Sequence, residues 1–334
     1  MSNHEQERSY YFHGTKLQVS CSSAMASYLD GRFRMFPTKG QSTETVFLEF
    51  QPVADASQHT VKRPQGKGRP FYELPKGEAC YFEERDEVYL SFADGVRALC
   101  NPSSDCVLLS SVESDTTNLF MASHLVLTIL LVEILKRRGW YSLHAAGFSD
   151  NGRAVLIPGT SGAGKSTLSV ALLRGRFDYL SDDMVFLRQF PDGMRVRGFV
   201  EDVDVNDQTI CFFSELDFLL RSPKAYDSPK RQLRAEEVYG AKTVAEALPK
   251  AIILPRISGR QTSVITQIEG DEALLEIVPN VLLTEPRTSQ AHLGVLAELV
   301  KTTACYRLDT GQDFNRIPIL FRELLRCDQE EICA

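Results

Sequence analysis

The alternation of apolar and polar positions divides the chain before any single residue is considered. Residues 9–52 carry short strand-like runs, YYFHGTKLQVSC, then RFRMFP, then VFLEFQPV. YFEERDEVYLSF (81–92) resumes the alternation, with Val88, Leu90 and Phe92 on one face. The stretch between them, ADASQHTVKRPQGKGRP (54–70), is polar and rich in turn formers, so it reads as a loop or link. From Asp115 to Arg138 the apolar spacing becomes helical, and Gly139 is its expected stop. These patterns predict a mostly β N-terminal module over residues 1–112, of unassigned role, and a second domain over 113–334.

In the second domain the pattern alternates between strand and helix. WYSLHAAGFSDNGRAVLIPG predicts two strands joined by a tight turn at Asp150-Asn151-Gly152. The strand AVLIP ends at Gly159, residues 165–173 predict a helix, and Gly175 is the expected residue after its C-cap. YLSDDMVFL (179–187) reads as a third strand with two acids in its middle. Further on, 249–256 and 304–309 predict strands, and 271–283, 289–303 and 316–326 predict helices. Strand, loop, helix and strand in succession predict an α/β core.

Composition narrows the class. The 334 residues are 43% hydrophobic and 24% charged, enough for a sizeable core. The net charge of −7 argues against a nucleic-acid binder, because no cation excess is present to replace the counterions of a phosphate backbone. Eight cysteines are scattered without a CxxC pair or a Cys/His cluster, which suits reduced thiols in the cytoplasm. The start MSNHEQERSYYFHG is polar where a signal peptide is apolar. LVLTILLVEIL (125–135) has about half the length of a bilayer span and contains Glu133, so a buried helix and no membrane are expected. A homo-oligomer is compatible with all of this.

The chemistry begins at IPGTSGAGKST. Gly159-Thr160-Ser161-Gly162-Ala163-Gly164-Lys165-Ser166 fits G-x-x-x-x-G-K-[ST] without a mismatch, after a predicted strand and before a predicted helix. Glycines permit the backbone geometry by which successive N–H groups converge on phosphate oxygens. The helix starting near Lys165 aims its partial positive end at the same place. Lys165 adds a full charge for the β- and γ-phosphates, Ser166 offers a hydroxyl to Mg²⁺, and Thr167 packs beside it. No LSGGQ-type stretch is present, which sets aside transporter ATPases.

Asp182 and Asp183 follow, in Ser-Asp-Asp. An acid on a strand near the loop commonly completes a Mg²⁺ site. On a regular strand consecutive side chains face opposite ways, so one of the two enters the site directly. His144, in Leu-His-Ala-Ala-Gly, would be ordinary core by itself. The predicted hairpin carries it toward the phosphates, where an imidazole donor stabilises developing charge.

Together the stretch from His144 to Val185 resembles the HPr kinase/phosphorylase family and its HPr-kinase-like relatives. The match consists of a histidine, a hairpin, GTSGAGKS, a helix ending in Arg-Gly and a strand with Asp-Asp. The resemblance implies a P-loop kinase core on a mixed sheet, phosphoenolpyruvate-carboxykinase-like, and ATP-dependent phosphorylation of a serine hydroxyl on a protein or peptide. It implies that Lys165 holds phosphate, Ser166 and Asp182 bind Mg²⁺, Asp183 takes the hydroxyl proton and His144 assists. The family's second signature, Glu-x-Arg-Gly-Leu-Gly, is replaced by MRVRGFVEDVDV (194–205), where Arg197-Gly198 remains without the acid. The reverse, phosphorylase reaction is therefore not implied. The chain is closer to the HPr-kinase-like relatives, some of which accompany peptide-tailoring pathways.

Glu201 and Asp202 read as a solvated acidic turn in preference to further metal ligands, and Arg256 and Arg260 as solvated arginines in preference to phosphate contacts. Two other functions stay open: a small-molecule kinase with the same site, and a nucleotide-gated binding protein without transfer activity.

Overall fold

A computed structural model describes residues 5–74, 76–160, 162–224 and 228–326. They are mixed α/β and fall into two compact units, Met1–Trp140 with Leu282–Gln290, and Tyr141–Val281 with Ala291–Ala334.

The first unit contains β1 (Gln6–Phe12), β2 (Thr15–Cys21), α1 (Ser23–Arg32), β3 (Glu44–Val53), β4 (Arg69–Tyr72), β5 (Gly77–Phe82), β6 (Glu87–Phe92), β7 (Val96–Asn101), β8 (Cys106–Val112), α2 (Thr116–Met121) and α3 (Leu127–Arg137). Among the described residues its strands form one mixed sheet in the order β1-β2-β3-β8-β7-β6-β5-β4. The pairs β2–β3 and β3–β8 are parallel, and α1 supplies the crossover between β2 and β3.

One expectation changes here. RFRMFP is no strand: it is the end of α1 and the turn after it. Phe33 and Phe36 are buried against Tyr10 and Phe12 of β1, with Phe33 4.8 Å from Tyr10 and Phe36 5.7 Å from Phe12. The apolar residues fill space under the sheet rather than extend it. YFEERDEVYLSF is two antiparallel strands, β5 and β6, with Asp86 left-handed (φ 50°) in the turn between them.

The helical stretch Thr116–Arg137 is 22 residues long, enough by length and composition to cross a bilayer, and 72% of its apolar window is buried inside the protein. Its backbone widens into a π-turn at Ala122–Val126. The buried Arg32 guanidinium donates to the carbonyls of Ser123 and His124 there, so charge-assisted bonds take up acceptors at the widened turn. Glu133 and Lys136, both 1% exposed, pair at 2.6 Å, and Lys136 also donates to Thr284 Oγ1 and Leu282 O. That network ties segment 282–290 to the helix.

The second unit holds β9 (Tyr141–Asp150), β10 (Arg153–Pro158), α4 (Lys165–Arg174), β11 (Asp178–Ser181), β12 (Met184–Phe190), β13 (Gly193–Gly198), β14 (Val203–Asn206), α5 (Asp207–Phe212), β15 (Lys230–Leu233), α6 (Ala235–Tyr239), β16 (Leu248–Ile257), β17 (Val264–Ile268), α7 (Gly270–Ile277), most of α8 (Pro286–Thr302), β18 (Ala304–Thr310) and α9 (Ile317–Arg326). Its large sheet runs β13-β12-β9-β10-β16-β18-β17, with β11 also on β9, and β14 pairs β15 in a separate ribbon. β10, β16 and β18 are parallel neighbours and the rest antiparallel. Asn151 (φ 53°) and Gly152 (φ 76°) make the left-handed turn that the hairpin requires. The residue ending α4 in the left-handed region is Arg176 (φ 60°), not Gly175 (φ −73°).

Candidate active site

Strand alternation explains why His144 meets α4. Leu143 and Ala145 of β9 enter the core cluster with Ala154, Leu156, Ile252 and Leu254 on one face of the sheet. His144 therefore projects from the other face. β10 pairs antiparallel with β9 up to Pro158↔Ala145, so the chain leaves β10 next to His144.

The loop from Gly159 to Gly164 then turns into α4. Gly162 (φ 86°) and Gly164 (φ 95°) adopt left-handed backbone that side-chain-bearing residues rarely tolerate. Gly164 is the N-cap and no side chain caps the helix, so the first-turn N–H groups of α4 keep their donors for something else. Thr160 and Gly162 are exposed, whereas Ala163, Lys165, Ser166 and Thr167 are half-buried. Ser161 lies outside the described residues. Thr167 turns away from the loop, with Oγ1 3.0 Å from Thr209 Oγ1 of α5.

Lys165, His144 and Asp183 form a chain. Lys165 Nζ lies 3.1 Å from His144 Nε2, and His144 Nδ1 lies 3.2 Å from Asp183 Oδ1. A neutral ring with its proton on Nδ1 satisfies both contacts, donating to Asp183 and accepting from Lys165. The ammonium also donates to the carbonyls of Gly159 and Thr160. Burial pushes the Lys165 pKa down, against the pull of Asp183 and Asp182. Asp183 has a 57% exposed side chain at the mouth of the site. Loss of surrounding water pushes its carboxyl up, but the His144 hydrogen bond and the charges of Lys165 and Lys230 leave it below the ordinary value.

The strand expected through YLSDDMVFL breaks at the two acids. β11 ends at Ser181 and β12 begins at Met184, each pairing with β9. Ser181 pins the bend: its Oγ donates to Phe199 O and accepts from Met184 N. Asp182 is thereby turned inward, 7% exposed, accepting from Ser169 Oγ of α4 at 2.7 Å and from Asp204 N of β14 at 3.2 Å. Burial first, and then the charge of Asp183, push its carboxyl up to about 6. Asp204, near Asp182 and Asp183, is likewise pushed up to about 6 by burial, opposed by Lys230.

Sequence reasoning had not singled out Ser169, Asp204 and Lys230. The signal for Asp204 was the alternation Val203-Asp204-Val205-Asn206, which puts two polar side chains on one face. Glu201 and Asp202 are half-buried, and the Glu201 carbonyl accepts from Tyr179 Oη at 2.8 Å. Arg256 and Arg260 are exposed at the end of β16. Pro255 and Ile257 face the loop glycines, so strand alternation turns Arg256 away from them.

No protein-family model matches the chain, and no curated protein matches it. Among solved structures, the Hpr(Ser) kinase/phosphatase from Coxiella burnetii aligns with 58% of this chain and 99% of its own at 13% identity, with a TM-score of 0.32. A likeness of that size decides nothing by itself, and function is read from the geometry.

Proposed function

We propose that the second unit is a Mg-ATP-dependent kinase of the HPr-kinase-like kind, transferring the γ-phosphoryl group to a serine hydroxyl of a protein or peptide. One observation carries the reading: Lys165, His144 and Asp183 stand in hydrogen-bonded sequence beside an uncapped helix start reached through left-handed glycines. The loop supplies backbone donors and the lysine a charge, the combination that polyphosphate binding needs.

The residues present also fit Mg²⁺. Among the described residues no group of three or more His, Cys, Asp or Glu is placed to hold a metal alone. Mg²⁺ is ordinarily held by one or two carboxylates with phosphate oxygens and water, and Ser166 with Asp182 offers such a partial set. When bound, the ion neutralises charge on the phosphate oxygens.

In this reading Lys165 exchanges the loop carbonyls for phosphate oxygens. Asp183 orients the acceptor hydroxyl and takes its proton, and a low pKa suits a base that acts late, once bond formation has acidified the hydroxyl. His144 holds Asp183 in place and links it to Lys165. Asp182, pinned by Ser169 and Asp204, supplies the inner carboxylate.

Incubation with γ-labelled ATP and candidate acceptors tests the proposal. Label on a seryl peptide or protein is the expected result. Label on a metabolite would move the reading to small-molecule kinases, and binding without transfer would leave a nucleotide-gated binding protein.

A further inference from the structure

Lys165 is one cation of the site. Its three ammonium donors meet Gly159 O, Thr160 O and His144 Nε2, and in the kinase reading the two that face loop carbonyls turn to phosphate oxygens. The site nevertheless gathers the carboxylates of Asp182, Asp183 and Asp204, and a polyphosphate entering it adds further negative charge.

Lys230 is a second lysine in that field. It stands on β15, in the antiparallel ribbon whose register pairs Asn206 with Lys230 and Asp204 with Gln232. Lys230 and Asp204 are thus diagonal neighbours on one face. The ribbon is fixed to the acid pair because the Asp204 backbone N–H donates to Asp182. Lys230 Nζ stays 3.9 Å from Asp204 Oδ2, beyond hydrogen-bond reach, with the side chain 35% exposed. Among the described residues its ammonium donates no hydrogen bond. Its charge bears on Asp182, Asp183, Asp204 and Lys165 alike. A cation that stands 3.9 Å from Asp204, bears electrostatically on the other charges of the site and donates no hydrogen bond among the described residues is placed to serve a group that arrives.

We propose that Lys230 is a catalytic residue whose ammonium donates to the oxygens of the phosphoryl group in transit, so that the β14–β15 ribbon supplies the second cation of the site. The inference rests on the kinase reading. In the step it serves, the acceptor oxygen forms a bond to the γ-phosphorus and its proton passes to Asp183. The bond from that phosphorus to the β–γ bridging oxygen breaks, and ADP keeps the electron pair. Lys230 exchanges no proton. It compensates charge on the equatorial oxygens, where charge is spread during the transfer.

The test needs no acceptor. Binding of Mg-ADP, and of Mg-ADP with aluminium fluoride as a mimic of the transferring group, is measured by calorimetry on the full chain. The wild type should bind the aluminium fluoride complex more tightly than Mg-ADP. Lys230→Met should lose that gain by about 10²-fold while Mg-ADP affinity stays within about threefold, and Lys230→Arg should restore part of it. Matching thermal unfolding midpoints show that both variants are folded. An unchanged gain in Lys230→Met, equal losses for both complexes, or no gain in the wild type would overturn the role of Lys230. Failure of the wild type to bind Mg-ADP would instead remove the kinase reading, and this inference with it.

Discussion

Asp182 and Asp183 are consecutive in the chain and bonded to different parts of the fold: Asp182 to Ser169 and the Asp204 backbone, Asp183 to His144. The break between β11 and β12 creates this division, and it separates an inward, anchored carboxylate from an outward one at the mouth of the site. If Asp183 is the base, Asp183→Asn keeps the shape and removes the proton acceptor. Transfer should fall by about 10²–10⁴-fold while Mg-ATP affinity changes only a few-fold. Single-turnover transfer and equilibrium binding, measured side by side, check this, and near-normal turnover would defeat the assignment.

Ser169→Ala should show what anchors the inner acid. Both atoms of the bond are buried, so the carboxylate of Asp182 would lose a charge-assisted partner, at a cost of about 1–3 kcal/mol. The sign with pH follows from its carboxyl, which titrates in the folded state at about 6, above its ordinary 3.8. The group favours folding most when protonated, below the ordinary value, and this contribution is lost as pH rises through about 6. The penalty in Ser169→Ala should therefore be largest above pH 7 and shrink as Asp182 takes its proton below about pH 6. Denaturant unfolding across that range, without divalent cations, reads it directly.

Lys165→Ala should fail differently from Asp183→Asn. The substitution removes the phosphate-facing charge and also the donors that hold the Gly159 and Thr160 carbonyls. Mg-ATP affinity should drop by about tenfold or more, a loss of ground-state binding rather than of the chemical step alone. Unchanged affinity would mean that the loop does not grip the nucleotide.

An acid-sensitive position lies in the first unit. His124 sits in the π-turn, with Nδ1 3.1 Å from Phe120 O, its ring 4.1 Å from that of Phe120, and Arg32 donating to its carbonyl at 3.0 Å. Burial, then the charge of Arg32, push its pKa down from 6.5 to about 3. A lowered histidine stabilises the fold above 6.5, and that contribution is lost as pH falls toward 3. Acidification from pH 6.5 to about 4 should cost on the order of 2–3 kcal/mol through this group, and His124→Gln should flatten that limb. A parallel pH profile in the variant would rule the histidine out.

What could be read from the sequence was what local chemistry dictates. The β9–β10 hairpin was legible because Asn151 and Gly152 are the residues that accept a left-handed turn. The glycine loop was legible because its spacing leaves few other backbone paths. Three features were hidden, each set by contacts distant in sequence. RFRMFP has the composition of a strand, but Phe33 and Phe36 are taken up under β1. YLSDDMVFL alternates as a strand should, and it breaks because Ser181 is held by Phe199 from another segment. The tie between Asp182 and Asp204 runs through a backbone N–H, which no side-chain pattern announces.

Gly198 joins these observations. It ends β13, and a Cβ added there would lie 1.8 Å from the Leu180 carbonyl oxygen, a backbone atom of β11 with no rotamer to yield. The glycine is needed because β13 and β11 approach closely just before Ser181, where the chain bends to present the two acids. Gly198→Ala must therefore push β11 aside, at about 1–3 kcal/mol of stability if the strands shift together. The displacement reaches Asp182 and Asp183 through Ser181. Transfer activity should consequently fall even where the variant remains folded, while Mg-ATP affinity, set by the loop after β10, is less affected. Unfolding midpoints, single-turnover rates and nucleotide binding on one preparation separate the two effects. Wild-type rates in a destabilised Gly198→Ala would show that the bend holds its acids independently of the strand beside it.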